Sequence, residues 1–97
     1  MLKIEKDEDS TTVYMGDQLV VSHVAEAKVL LDPLLAGAAT LCINLQDMIH
    51  CDTAGFQFLY GVLQERQRLG LPVTFHPLSK YVLDVSLQIG ISLVPVQ

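Results

Sequence analysis

The chain has 97 residues, 51% of them hydrophobic, and eleven acidic against six basic side chains give it a net charge of −5. That length and composition support one domain with its own core and no need of disulfides or metal, so residues 1–97 are read as a single domain. The acidic balance and the scatter of the few Lys and Arg exclude a surface that tracks nucleic-acid phosphates, which requires clustered bases.

Taken in chain order, Leu2 to Lys6 and Thr11 to Met15 read as short strands around a solvated acidic turn containing Asp7, Glu8 and Asp9. Val13 and Met15 fall on one face of the second strand and Tyr14 on the other. Gly16-Asp17 signals a turn into a strand at about Gln18 to Val21. Ser22 is placed to cap a helix running through Leu31, with Val24, Ala27, Leu30 and Leu31 at helical spacing. Pro33 disfavours helical geometry at Asp32, so that helix is expected to end or kink there. Ala39 to Leu45 is apolar on both alternating faces, the pattern of a strand covered on both sides.

A second helix is expected from about Ala54 to Leu69, with Gly70 just past its end. Its apolar residues Phe56, Phe58, Leu59, Tyr60, Val62, Leu63 and Leu69 spread over roughly 200° at 100° per residue. Gln57, Gln64, Glu65 and Arg68 take the wet face. The excess of apolar arc lies toward Phe56 and Tyr60 and suits either a partner surface or burial against a neighbouring helix. Val73 to His76 reads as a strand ended by Pro77. Ser79 then caps a helix that stops at Gly90, and Leu93-Val94-Pro95-Val96 is a last extended segment. Strands and helices alternating in this way give an α/β domain. Its sheet is mixed and four- to five-stranded, its early strands pair as hairpins and its later ones cross over through helices, and three to four helices pack on it.

The chemistry-bearing stretch is Ile49-His50-Cys51-Asp52-Thr53-Ala54-Gly55-Phe56, between the apolar strand and the second helix. A side-chain oxygen of Asp52 or Thr53 can cap that helix by accepting one of its unpaired N–H groups. A hydrolase would need Thr53 as nucleophile and His50 as base, yet nothing supplies an oxyanion hole, so no catalytic residue is assigned. His23, His50, His76, Cys42 and Cys51 lack the close pair spacing of zinc motifs, and the glycines form no phosphate-cradling loop, so no metal or cofactor is expected. Cys42 reads as a small buried hydrophobe, Cys51 beside His50 and Asp52 leaves a partly exposed, reactive thiol only as the minor alternative, and the two are read as unbridged. No apolar run reaches bilayer length and Met1-Leu2-Lys3-Ile4-Glu5 lacks a signal-peptide core, so a cytoplasmic protein without membrane insertion is expected.

Asp52-Thr53-Ala54-Gly55-Phe56 resembles the signature loop of the STAS domain family: Asp, Ser or Thr, a small residue, Gly, then an apolar residue. The likeness continues in Leu19 to Ala27, in Gly70 to Phe75 and in Ser79 to Leu83, which resemble the family's second strand and first helix, its penultimate strand and its third helix. The family's frequent Gly-Glu-Leu is here Gly16-Asp17-Gln18-Leu19, and the chain stops at Gln97 with little room for a last helix, the expectation being a minimal version of the domain. The resemblance implies a STAS-type fold and a non-enzymatic bacterial regulatory module of the anti-sigma factor antagonist type. Its partner would be an anti-sigma factor or related kinase, and its own state monomeric or weakly dimeric. By position, Thr53 is the implied phosphorylation site, and Asp52, Thr53, Ala54, Gly55, Phe56 and Tyr60 the implied partner contacts. Short family members with Asp-Thr also resemble the accessory subunit that binds the ATPase of phospholipid ABC transporters, and others belong to chemotaxis signalling; both remain alternatives.

Overall fold

The structure, a computed structural model, describes residues 2–93. Alternating apolar residues build its sheet: β1 (Lys3–Lys6) pairs antiparallel with β2 (Ser10–Tyr14) across the acidic turn, where the Asp7 N–H donates to Ser10 O at 2.8 Å. The chain then forms β3 (Gln18–Leu19), α1 (Val21–Leu35), β4 (Thr40–Leu45), β5 (His50–Cys51), α2 (Thr53–Arg68), β6 (Val73–Leu78) and α3 (Lys80–Ile89). The main sheet has the order β1-β2-β4-β6, with β2, β4 and β6 parallel. A separate two-stranded parallel sheet joins β3 to β5. This is the α/β architecture expected, with a four-stranded mixed sheet and three helices among the described residues.

Register places Val13 beside Ile43 and Ile43 beside Phe75, so one sheet face is continuously apolar. Leu41, Leu45 and Val73 extend that face, and Ala27 and Leu31 of α1, Phe56, Leu59, Val62 and Leu63 of α2 and Val82 of α3 close the core over it. The opposite face carries half-buried Thr12, Tyr14, Cys42 and Asn44 and exposed Thr74 and His76. The expectation that β4 is covered on both sides is corrected: only its Leu41, Ile43 and Leu45 face is fully buried.

Two boundaries differ from expectation for identifiable reasons. Helix α1 continues through Pro33 to Leu35 instead of ending at Asp32. Pro33 lies on the exposed side with Val29, so the backbone hydrogen bond that a proline cannot donate is lost where water can replace it. Strand β6 runs past Pro77, whose peptide bond with His76 is cis, to Leu78. It is an edge strand, and its register against β4 shifts between Ile43 and Leu45, a place where a residue without N–H is tolerated. Gly70 and Gly90 end α2 and α3 with φ of 69° and 73°, the left-handed conformation that glycine adopts without strain. Ser79 caps α3 as expected, its side chain accepting from Val82 N–H. Leu93 is buried outside any strand, and Val94 to Val96 of the expected last segment lie outside the described residues.

The C-terminal end of α1 is held by a residue that the sequence reading left unassigned. Arg66, in the last turn of α2, is 0% exposed and has no carboxylate partner among the described residues. Its Nη1 donates to Leu35 O at 3.0 Å and Gly37 O at 2.7 Å, with Leu34 O at 3.5 Å, while Nη2 donates to Ala39 O at 2.8 Å and Pro72 O at 2.6 Å. Burial pulls its pKa below the ordinary value, yet a guanidinium remains charged at any physiological pH. One cation thereby satisfies carbonyls at the end of α1, in the loop to β4 and in the loop to β6, and it opposes the negative end of the α1 dipole.

Replacing Arg66 by Met keeps much of the volume and strands those carbonyls in the core. Arg66→Met should lower the unfolding free energy by about 3 kcal/mol or more, measured by urea titration, since each buried unsatisfied group costs roughly 1–3 kcal/mol. A loss below about 1 kcal/mol would mean that these bonds are replaced by water.

Candidate docking site at the paired helix N-termini

The short strands β3 and β5 lie side by side and each feeds straight into a helix, so α1 and α2 begin next to one another. The pair is tied by Ile49 N–H to Asp17 O at 2.8 Å and by Asp52 N–H to Leu19 O at 3.3 Å. With Arg66 joining the two far ends, α1 and α2 run parallel.

Asp52 serves both starting ends. It is the N-cap of α2, its Oδ1 accepting from Gly55 N–H at 2.9 Å, and its Oδ2 accepts from Val21 N–H at 2.8 Å at the first residue of α1. Of the two candidates for the cap, Asp52 is therefore the one that takes the role. The expectation that Ser22 caps α1 is corrected: the cap position is Val20, which has no side-chain acceptor, and Ser22 lies inside the helix. Val20 is extended, with φ −120° and ψ 169°, so the helix begins two residues earlier than a Ser22 cap would place it, and the acceptor comes from across the rim. Hydrogen bonds from Gly55 and then Val21 hold the Asp52 carboxyl below its ordinary pKa, with His50 acting in the same direction.

Thr53 is the first residue of α2 and is exposed, and its hydroxyl has no partner among the described residues. Gly55 is buried. A Cβ there would lie 2.2 Å from Leu19 O and 2.7 Å from Cys51 Sγ, so the glycine lets α2 start hard against β3. Phe56 is 1% exposed and packs in the core. At 100° per residue Gly55 and Phe56 both lie on the inward side of α2, as Leu59 does, so of the implied contacts Thr53, Ala54 and Tyr60 are the ones with surface to offer. Ala54 and Tyr60 are half-buried. Ala54 lines a groove of about 480 Å³ between α1 and α2 with Val24, Gln57, Phe58 and Gly61. Glu65, expected to be wet, is half-buried and pairs with Arg68.

Cys51 is buried, and burial first, then the charge of Asp52, push its thiol pKa up to about 12, so it stays protonated at neutral pH. Its backbone is clasped by Tyr81 of α3, whose hydroxyl accepts from Cys51 N–H at 2.8 Å and donates to Cys51 O at 3.0 Å. Ser79 adds a bond from its hydroxyl to Met48 O at 2.6 Å. Cys42 is half-buried on the open sheet face, and neither cysteine is bridged. His23, His50 and His76 sit on different elements, and among the described residues no three His, Cys, Asp or Glu side chains converge as metal ligands.

The contacts made by Tyr81, Val21 and Arg66 were not foreseen from the sequence, which places Tyr81 only as an apolar position of the last helix and Val21 only at the end of a strand. Ser79-Lys80-Tyr81 carried a cap signal but nothing to show that the tyrosine returns to the loop, because both partners of that contact are backbone atoms thirty residues away.

No protein-family model matches the sequence, and no curated protein matches it. Solved structures do. The unphosphorylated form of the anti-sigma factor antagonist SpoIIAA aligns at TM-score 0.79 and 15% identity over 99% of this chain and 86% of its own. The phosphorylated form of SpoIIAA, a Bacillus cell fate determinant, aligns at TM-score 0.74 and 15% identity over 99% of this chain and 89% of its own. The structure of Mglu aligns at TM-score 0.71 and 17% identity over 80% of this chain and 20% of that protein. The chain has the fold of SpoIIAA. Among its described residues, no helix is long and apolar enough to cross a membrane.

Two glycines of α2 make a matched pair of measurements. Gly55→Ala should lower stability by about 3 kcal/mol or more, because the new methyl meets backbone. Gly61→Ala, where nothing lies within 4 Å of the added atom, should raise stability by up to about 1 kcal/mol. Calorimetric or urea unfolding reads both, and a stable Gly55→Ala variant would contradict the close approach to Leu19.

The capping of two helices by one carboxylate has a pH signature. A carboxyl whose folded pKa lies below its unfolded value of 3.8 stabilises the fold above that value, and the contribution is lost as pH falls through the folded pKa. Stability should decline below about pH 4, and Asp52→Asn should flatten this acid limb. An acid limb unchanged in Asp52→Asn would show that the two bonds do not hold the carboxylate in solution.

Proposed function

We propose that this chain is a non-enzymatic regulatory docking module of the STAS family, of the anti-sigma factor antagonist type. It binds a partner kinase of the anti-sigma factor class through the rim where α1 and α2 begin, and phosphorylation of Thr53 releases that partner. The observation that carries the reading is Thr53 itself. Its hydroxyl is exposed at a helix start and serves no bond within the described residues, while the neighbouring Asp52 does the capping. The shared fold adds support, because SpoIIAA is an anti-sigma factor antagonist that exists in unphosphorylated and phosphorylated forms.

The physical effect of the modification follows from its place. A phosphoryl group brings roughly −1.5 to −2 charge and three acceptor oxygens at neutral pH. The free N–H groups and the dipole of α2 tolerate an anion there, so the fold survives. Outside, the same charge stands beside the Asp52 carboxylate and turns a neutral hydroxyl surface into a strongly acidic one. A partner fitted to the unmodified rim loses its contacts. Ala54 and Tyr60, half-buried on α2, accompany Thr53 as the proposed contacts, while Gly55 and Phe56 act from inside by fixing how α2 is seated.

The test begins with immobilised wild-type chain and Thr53→Glu chain as paired baits, followed by calorimetry with the purified partner. Thr53→Glu should weaken binding by well over tenfold, with a thermal midpoint within a few degrees of wild type. Thr53→Ala should cost less than about 0.5 kcal/mol in stability, because Asp52 and not Thr53 is the cap. Equal binding by wild type and Thr53→Glu would remove Thr53 from the docking surface. Recovery of the ATPase subunit of a transporter as the Thr53-dependent partner would instead assign the chain to the transporter-subunit alternative.

A further inference from the structure

We propose that the first turn of α1 belongs to the same switched surface as Thr53, with Asp52 as the positioning residue that links them. The inference rests on the docking role proposed for Thr53 and concerns how a charge placed there is transmitted.

Val21 N–H donates to Asp52 Oδ2 at 2.8 Å, and the residue ahead of it, Val20, offers no side-chain oxygen. The start of α1 therefore depends on a side chain 31 positions away, on the residue directly before Thr53. The other oxygen of that carboxylate is on Gly55 N–H at 2.9 Å. A carboxylate is one rigid plane, so a movement that takes Oδ1 away from Gly55 also moves Oδ2 relative to Val21. A negative group on Thr53 drives such a movement in two ways. It repels the Asp52 carboxylate, and its own oxygens compete for the N–H groups at the start of α2. Of the neighbouring titratable groups, His50 on β5 favours the Asp52 carboxylate in its present position, and the Cys51 thiol is neutral.

The surface at stake is apolar. Val21 is 67% exposed, and Ser22 beside it is exposed as well. Val24, one turn further on, opens the groove that Ala54, Gln57 and Phe58 line from α2. A protein partner docked on Thr53 and Ala54 thus meets Val21 next. When Asp52 lets go of Val21 N–H, the first turn of α1 loosens and this apolar neighbour leaves the position that the partner fits. Modification at Thr53 then acts on both helices while the sheet stays unchanged.

Amide hydrogen exchange by NMR on the full, isotope-labelled chain tests this without a partner. Thr53→Gln, neutral and similar in size, should leave Val21 and Gly55 as in wild type. Thr53→Glu should accelerate exchange at both by about tenfold or more, with Val13 and Ile43 in the sheet unchanged, which separates local release from unfolding. Asp52→Asn gives the second arm: exchange at Val21 rises in that variant, and Thr53→Glu added to it produces no further rise. Unchanged Val21 in Thr53→Glu, equal effects of Gln and Glu, or a full additional effect of Thr53→Glu in the Asp52→Asn background would each overturn the link. Because no partner is involved, a failed link with partner binding still lost leaves the docking reading intact. A working link with binding unaffected removes the docking reading instead.

Discussion

Two parallel helices lie side by side with their positive ends at one rim, and the rest of the molecule depends on how that arrangement is held. Aligned dipoles packed in parallel repel, and each helix start exposes N–H groups in need of acceptors. The solution here comes from the α2 segment at both ends. Asp52 places one carboxylate oxygen on each helix start, and Arg66 brings its guanidinium to the carbonyls at the end of α1. An acid at the positive ends and a base at the negative end are the two placements that a helix dipole favours. Helix α1 has no acidic residue in its first turn and no basic residue in its last, so it depends on α2 for both.

The rim where both helices begin inherits its character from this clamp. Gly55 seats α2 against the backbone of Leu19, and Tyr81 and Ser79 of α3 pin the stretch from Met48 to Cys51 that leads into Asp52. The backbone of Met48, Cys51 and Gly55 around the loop is thereby engaged by groups inside the chain. The Thr53 hydroxyl is the side-chain group left over, facing outward at a place rigid enough to present it. Rigidity on one side and freedom on the other suit a residue whose chemical state is read from outside.

Elements with strong local signals were legible in the sequence. The alternation of Val13 and Met15 against Tyr14, the cap at Ser79, and Gly70 and Gly90 after their helices all depend on neighbours within a few positions, and the structure has each of them. The loop from Asp52 to Phe56 was legible as a helix start with a resemblance to the STAS signature. What escaped depends on partners far along the chain. Ser22 looked like a cap because nothing local revealed that Asp52 would do its work, and a partly exposed Cys51 stood as an alternative because Gly55 and Tyr81 that enclose it meet it only in the fold. Arg66 sits among Glu65, Gln67 and Arg68 in a polar run, and its burial is set by carbonyls of two distant loops. Pro33 was expected to disfavour helical geometry at Asp32, and nothing local showed that this side of α1 faces water.

The central claim is that a partner reads the rim where the two helices begin. Chemical-shift mapping of the labelled chain, titrated with its purified partner, tests that most directly. The account requires the largest changes at Val21 to Val24 and from Thr53 to Tyr60, with the open sheet face of Thr12, Cys42 and Thr74 silent. Changes centred on that sheet face, or on the exposed Leu83 and Leu87 of α3, would contradict it.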